Sequence, residues 1–173
     1  MLNKKEKLIT DRLILKPIEN IDRKRMISLL KDPEIKKTYM LPDINDIVEG
    51  VVLFNRLKDV THSPSHYAYG IYKEDDIIGF INDVTYNEEE IEIGYFIDST
   101  EWNKGYASEA FSALIDELKR IGFKKVVAAH FENNLASGRV MIKCGLHKID
   151  KDEVIEYRGN KHKCIYYEKE LSK

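Results

Sequence analysis

The stretch Ile93-Gly94-Tyr95-Phe96-Ile97-Asp98-Ser99-Thr100-Glu101-Trp102-Asn103-Lys104-Gly105-Tyr106-Ala107-Ser108-Glu109-Ala110 contains the change of period that decides the fold. A strand pattern ends at Asp98, a polar loop follows, and the loop opens into a helix. From there Ala107, Ala110, Phe111, Leu114, Ile115, Leu118 and Ile121 recur at three- and four-residue steps until Gly122 stops them. Gly105 and Ala107 are small where a ligand would approach the backbone. Amides from Asn103 to Ser108 would face one spot, and the helix dipole favours an anion there. Lys104 adds a positive charge. An ordinary helix start with a glycine turn has the same composition.

Working outward, Tyr67 to Lys73, Ile77 to Tyr86 and Ile91 to Asp98 read as three antiparallel strands. Their turns are Glu74-Asp75-Asp76 and Asn87-Glu88-Glu89-Glu90. Ahead of them, Arg12 to Pro17 reads as a first strand. Asn20 to Lys31, with Ile21, Met26, Ile27, Leu29 and Leu30 among charges, reads as an amphipathic helix. A second helix is expected from Asn45 or Asp46 to about Asp59, burying Ile47, Val48, Val51, Val52, Phe54 and Leu57, and Thr61 to Ser65 is expected as a loop. After the long helix come a buried strand over Lys124 to Phe131 and a helix capped by Asn133 or Asn134 and ended by Gly145. Two last strands, Leu146 to Tyr157 and Lys161 to Leu171, meet at Arg158-Gly159-Asn160. The order βααβββαβαββ predicts an α/β domain over residues 8–171, with a mixed, mostly antiparallel sheet of about seven strands and about four helices.

Composition agrees with one such domain. The chain has 173 residues, 43% of them apolar and 34% charged, with 28 Lys+Arg against 30 Asp+Glu and a net charge of −2. It lacks the basic excess of a nucleic-acid binder. It also has no apolar run near the roughly 20 residues that span a bilayer. The charged start, Met1 to Lys7, lacks a signal peptide's apolar core. Cys144 and Cys164 form no framework and are expected as free, packed thiols, so a reducing cytoplasm is the expected location.

There is no Gly-x-x-x-x-Gly-Lys-Ser/Thr stretch for a nucleoside triphosphate and no Gly-x-Gly-x-x-Gly for a dinucleotide. Trp102-Asn103-Lys104-Gly105-Tyr106-Ala107 instead resembles the Gln/Arg-x-x-Gly-x-Gly/Ala loop of the GCN5-related N-acetyltransferase (GNAT) superfamily, which wraps the coenzyme A pyrophosphate. Trp102 stands where Gln or Arg is usual, a departure common in the branch that acetylates ribosomal-protein N-termini. Thr10-Asp11-Arg12-Leu13-Ile14-Leu15-Lys16-Pro17 is similar to that branch's opening strand. The segment from Asn134 to Leu146, through Ser137, Val140, Lys143 and Gly145, is similar to its Asn-x-x-Ser-x-x-Val-x-x-Lys-x-Gly-Phe helix.

The resemblance implies a GNAT fold whose sheet splays between its fourth and fifth strands, with acetyl-CoA as co-substrate and no metal. It implies that backbone groups of Tyr95, Phe96 and Ile97 pair with the pantetheine arm, one amide also holding the thioester carbonyl. Trp102 and the loop Asn103, Lys104, Gly105, Tyr106, Ala107 and Ser108 would hold the pyrophosphate, and Asn134 the pantetheine. The family's usual acid, a tyrosine four residues before the glycine at 145, is here Met141, which leaves Ser137 as candidate acid.

An amine must lose a proton before it attacks a thioester, so a base or water chain is required. Glu92 is the candidate base, and a solvated carboxylate beside Glu88, Glu89 and Glu90 is the other reading of it. His130 is a second candidate base. The expected reaction is direct acetyl transfer to a primary amine in a ternary complex, the acceptor being a protein N-terminus or a small amine. The acidic run hints at a cationic one. A CoA-binding sensor or inactive partner subunit is the alternative. A monomer or homodimer without nucleic acid or membrane partner is expected. His62-x-x-x-His66 has metal spacing, but Pro64 lies between and no further ligand is evident.

Overall fold

The computed structural model describes residues 3–171; Met1 and Leu2 of the charged start, and Ser172 and Lys173, lie outside them. The chain begins with β1 (Leu8–Ile9) and β2 (Ile14–Lys16), then α1 (Arg23–Leu30), α2 (Pro33–Lys36) and α3 (Ile47–His62). The meander β3 (Tyr69–Lys73), β4 (Asp76–Tyr86) and β5 (Glu90–Ile97) leads into α4 (Tyr106–Ile121). β6 (Lys125–Phe131), α5 (Leu135–Lys143), β7 (His147–Tyr157) and β8 (Asn160–Glu170) complete the domain. One eight-stranded sheet has the order β1-β2-β3-β4-β5-β6-β8-β7. Every neighbouring pair is antiparallel except β5 with β6.

That parallel pair is short. Glu90, Ile91 and Glu92 lie opposite Lys125, Val126 and Val127, and the ladder stops there. β5 runs on to Ile97 beside β4, while β6 runs on to Phe131 beside β8. The sheet therefore opens into a wedge beyond Glu92, between the strands expected as fourth and fifth.

Strand alternation sends successive side chains to opposite faces. Ile91, Ile93 and Ile97 of β5 pack with Phe111, Leu114 and Leu118 of α4 and with Val126 and Ala128 of β6. On the other face, Phe96 and Phe80 pack with Met26 and Leu30 of α1 and Phe54 of α3. Fully burying each such side chain stabilises by about 1.5–3 kcal/mol. β5 thus has a core on each face, which fixes its position while its edge opens. Phe131, Cys164 and Tyr166 form a third cluster beyond the wedge.

Several expectations need correction. Ile47, Val48 and Val52 of α3 face solvent, as does Ile21, which is 91% exposed. Apolar residues surround α3, and the face that packs is chosen by Phe54 together with the buried Gly50 and Thr61. A Cβ on Gly50 would lie 3.2 Å from Ile27 and 3.4 Å from Ile44. Thr61 and His62 belong to α3 rather than to the loop, because the buried Thr61 hydroxyl donates to Lys58 O (2.7 Å) and accepts from Ile18 N (3.0 Å). α2 and β1 are additions too short to show a period. Asp32 caps α2 through Glu34 N, with Pro33 opening its first turn.

Candidate active site

The wedge holds a cavity of about 310 Å³. One wall is the end of β5, with Tyr95, Phe96 and Ile97; the floor is Trp102, Asn103, Gly105, Tyr106, Ala107 and Ser108. The facing wall is α5, with Asn134 and Ser137. Asp98 N donates to Ile78 O of β4 (2.7 Å), whereas Ile97 O accepts Trp102 Nε1 (2.8 Å) from the other side. Backbone groups alternate along a strand, so those of Phe96 point to β4, and Tyr95 and Ile97 turn theirs to the open edge. That edge can take an extended, amide-bearing chain as an added strand.

The loop is shaped by two left-handed residues, Asn103 (φ 61°) and Gly105 (φ 84°), on either side of Lys104. Asparagine and glycine are the residues that adopt this conformation at least cost. Gly105 is the N-cap of α4 and supplies no side-chain acceptor. The amides of Tyr106, Ala107 and Ser108 therefore open the helix with no cap of their own, an anion-binding arrangement. A Cβ on Gly105 would stand 3.3 Å from Arg12 Nη2 and 3.8 Å from Lys143 Nζ. Two cations thus flank the amides.

Arg12 also builds the loop. Its Nη1 donates to Lys104 O (2.9 Å), its Nε to Glu109 Oε2 (2.7 Å), and its guanidinium lies 4.5 Å from the Tyr106 ring centre. Glu109 Oε1 accepts from Thr10 Oγ (2.6 Å) and Arg12 N (2.9 Å). Burial pushes the Glu109 carboxyl up, but hydrogen bonds from Thr10 and Arg12 outweigh it and hold it below the usual range. The Thr10-x-Arg12 pattern thus anchors the first turn of α4. Lys104 is not in the cavity wall: its Nζ donates to Glu101 Oε2 (2.9 Å) and Thr100 O (3.2 Å).

On α5, Asn134 acts as the expected N-cap. Its Oδ1 accepts from Ser137 N (3.4 Å) and its Nδ2 donates to Ser137 Oγ (2.9 Å). The Tyr95 hydroxyl is buried and makes no hydrogen bond of ordinary geometry. It lies beside Ser137, and burial raises its pKa, which keeps it protonated. Cys144 and Cys164 are free and buried. Burial pushes the Cys144 thiol up to about 11, so it stays a thiol.

Glu92 does not line the cavity. It sits at the last paired step of β5, on the face opposite Ile91 and Ile93, half-buried where the wedge begins. Burial raises its carboxyl pKa; Lys151 opposes that, while Glu153 and Glu90 add to it. His130 is buried, its Nδ1 meeting Phe131 O at 2.7 Å, and its Nε2 has no partner. A Cβ on Gly138 would come within 2.8 Å of that nitrogen, so α5 covers it. His62 contacts Ile18 O (3.0 Å) and His66 contacts Asp83 (2.9 Å). Among the described residues, no group of three or more His, Cys, Asp or Glu side chains could hold a metal ion.

Thr38, Glu101, Ala136, Arg139, Val140 and Lys143 complete the cavity wall without having been singled out for it. Val140 and Lys143 lie within the helix pattern quoted above, and Ala136, Arg139, Val140 and Lys143 stand at three- and four-residue steps on one face of α5, so that pattern carried a signal for them. Thr38 is brought in by a loop with no motif.

A family model described as an acetyltransferase (GNAT) domain matches residues 12–147. YoaA of Bacillus subtilis (strain 168), named an uncharacterized N-acetyltransferase, is 27% identical over 146 residues, covering 82% of each chain. YkkB of the same organism is 30% identical over 152 residues, 84% of this chain and 88% of its own. Among solved structures, RimL, a ribosomal L7/L12 alpha-N-protein acetyltransferase in complex with coenzyme A, superposes with a TM-score of 0.83 at 16% identity, over 95% of this chain and 98% of its own. The microcin C7 self-immunity acetyltransferase MccE, in complex with acetyl-CoA and AMP, superposes with a TM-score of 0.81 at 18% identity, over 93% of both chains. The wedge and the loop at the start of α4 lie inside the matched span, and the chain belongs to the GNAT acetyltransferase family.

Proposed function

We propose that this chain transfers the acetyl group of acetyl-CoA to a primary amine by direct attack in a ternary complex. The observation that carries the reading is the continuity of the wedge: a main-chain edge left open at Tyr95 and at Ile97 N leads to uncapped amides flanked by Arg12 and Lys143. The edge suits the amides of a pantetheine arm, and the helix start suits a pyrophosphate. A backbone N–H at the end of the edge would hold the thioester oxygen as negative charge develops on it.

Glu92 is the proposed base, directly or through water, with a carboxyl pKa raised toward that of the proton it must take. Ser137 is the proposed acid. Its oxygen accepts from Asn134, and the Tyr95 hydroxyl beside it is the next available donor. The Asn134 donor leaves the Ser137 proton free for the leaving thiolate. Neither buried cysteine is placed for a covalent intermediate. RimL's likeness makes a protein N-terminus one acceptor to test. Purified protein with acetyl-CoA should release free thiol when offered a panel of peptide N-termini and small amines. Binding of acetyl-CoA without thiol release on any amine would favour a CoA-binding sensor or partner subunit.

A further inference from the structure

A second cavity, about 440 Å³, shares a wall with the first. Lys37 and Asn133 line it, and their chain neighbours Thr38 and Asn134 line the wedge. Its walls are the end of α1, α2 and the β7–β8 turn, and they present Lys31, Lys36, Lys37 and Arg158 but no carboxylate. Tyr157 holds these walls together: its hydroxyl donates to Lys36 O (2.9 Å) and accepts from Leu41 N (3.2 Å).

Two acids pair with these cations: Glu34 of α2 holds Lys37 Nζ (2.6 Å), and Asp43 reaches in from the loop beyond α2. The exposed Asp43 carboxylate pairs through Oδ1 with Lys36 Nζ (3.2 Å) and also with Arg158 Nη2. The Lys36 side chain is only 13% exposed, whereas that of Asp43 is 59% exposed. A mostly buried lysine and an arginine from the opposite wall thus converge on a carboxylate carried by a solvent-facing residue. The acidic run that hinted at a cationic acceptor stands at the other end of β5, where Glu89 pairs with Lys124 and Glu90 with Lys125.

We infer that Lys36 and Arg158 form an anion subsite for the acceptor, which is an amine bearing a carboxylate or phosphate, and that Asp43 is a built-in occupant such an acceptor displaces. This rests on the acetyl-transfer reading above. Arginine and lysine together favour carboxylate or phosphate oxygens through charge-assisted hydrogen bonds. The subsite selects acceptors by charge while the wedge performs the chemistry.

The test compares matched probes: the peptides Ser-Asp-Asp-Ala-Ala and Ser-Lys-Lys-Ala-Ala, and phosphoethanolamine against ethanolamine. Thiol release gives kcat/KM. Calorimetry of the same peptides with blocked N-termini on CoA-loaded protein gives affinity without turnover. The acidic member of at least one pair should be favoured about tenfold or more, the scale of a close charge pair. A peptide preference alone identifies a polypeptide acceptor, and a phosphoethanolamine preference alone a small one. Arg158→Gln and Lys36→Met should each erase the preference with acetyl-CoA affinity unchanged. Asp43→Asn should strengthen binding of the acidic probe, which a merely structural ion pair would not do. Equal or reversed preference in protein that binds acetyl-CoA overturns the inference and leaves acetyl transfer standing, as does weaker acidic-probe binding in folded Asp43→Asn. Failure to bind acetyl-CoA overturns both.

Discussion

Replacing Gly105 by glutamate tests the anion site with a perturbation whose costs can be worked separately. The residue holds φ 84°, where a side chain costs about 1–2 kcal/mol. In a domain of this size that corresponds to a melting temperature lower by roughly 2–8 °C. A Cβ would meet only the ends of two flexible side chains: Arg12 Nη2 at 3.3 Å, which must give by a few tenths of an ångström, and Lys143 Nζ at 3.8 Å. The new carboxylate would sit between those cations, in the place proposed for the pyrophosphate. Two charge-assisted hydrogen bonds lost, at about 1.5–3 kcal/mol each, amount to ~3–6 kcal/mol. Acetyl-CoA affinity should then fall by about 10²–10⁴-fold, since each 1.4 kcal/mol is tenfold. Gly105→Ala carries the same backbone strain without the charge, so it should match the loss in melting temperature and weaken binding less than about tenfold. Calorimetric titration with acetyl-CoA, with circular dichroism as the control for folding, reads both effects. Wild-type affinity in folded Gly105→Glu protein would reduce the loop to a helix cap and remove the basis for the proposed reaction.

Glu92→Gln should slow transfer by ~10²-fold with acetyl-CoA affinity unchanged. A carboxyl whose folded pKa is raised costs stability once ionised, so the variant should melt higher near pH 7, and the gain should vanish below about pH 4; equal stability at both would mean a solvated Glu92. Arg12→Ala removes the bonds to Glu109 and Lys104 O and one flanking cation, and should weaken acetyl-CoA binding by about tenfold. An unchanged titration would show that the amides position themselves unaided. Tyr95→Phe deletes a buried hydroxyl without an ordinary partner, so melting temperature should hold or rise. Its kcat should fall several-fold at constant KM for acetyl-CoA if the hydroxyl orients Ser137, whereas an unchanged kcat would assign it to packing.

What could be read from the chain was local. Gly105, Gly122 and the three- and four-residue steps between them define α4, and Asn134 caps α5, because each signal and its effect lie within one or two turns. Non-local effects were hidden. Arg12 stands 97 positions from Glu109, so its part in shaping the loop appears only once β2 and α4 are packed. Lys104 is a local exception: it reads as a charge for the ligand, but Glu101, three residues earlier, holds it. Ile47, Val48 and Val52 are as apolar as Phe54, and only packing against α1 decides which face of α3 is buried. The acidic run was legible as charge and not as paired charge, since Lys124 and Lys125 reach it across the sheet.

The open edge of β5 has a bearing on control by product. In the proposed binding mode, main-chain groups at Tyr95 and Ile97 would pair with the backbone of a pantetheine arm and not with what its far end carries. Spent coenzyme would then be held by the same contacts as the acetylated donor, and the two would compete for one groove. Product would in that case slow turnover by occupying the groove, so the rate would depend on the ratio of acetylated to free coenzyme as well as on their amounts, without any separate regulatory site.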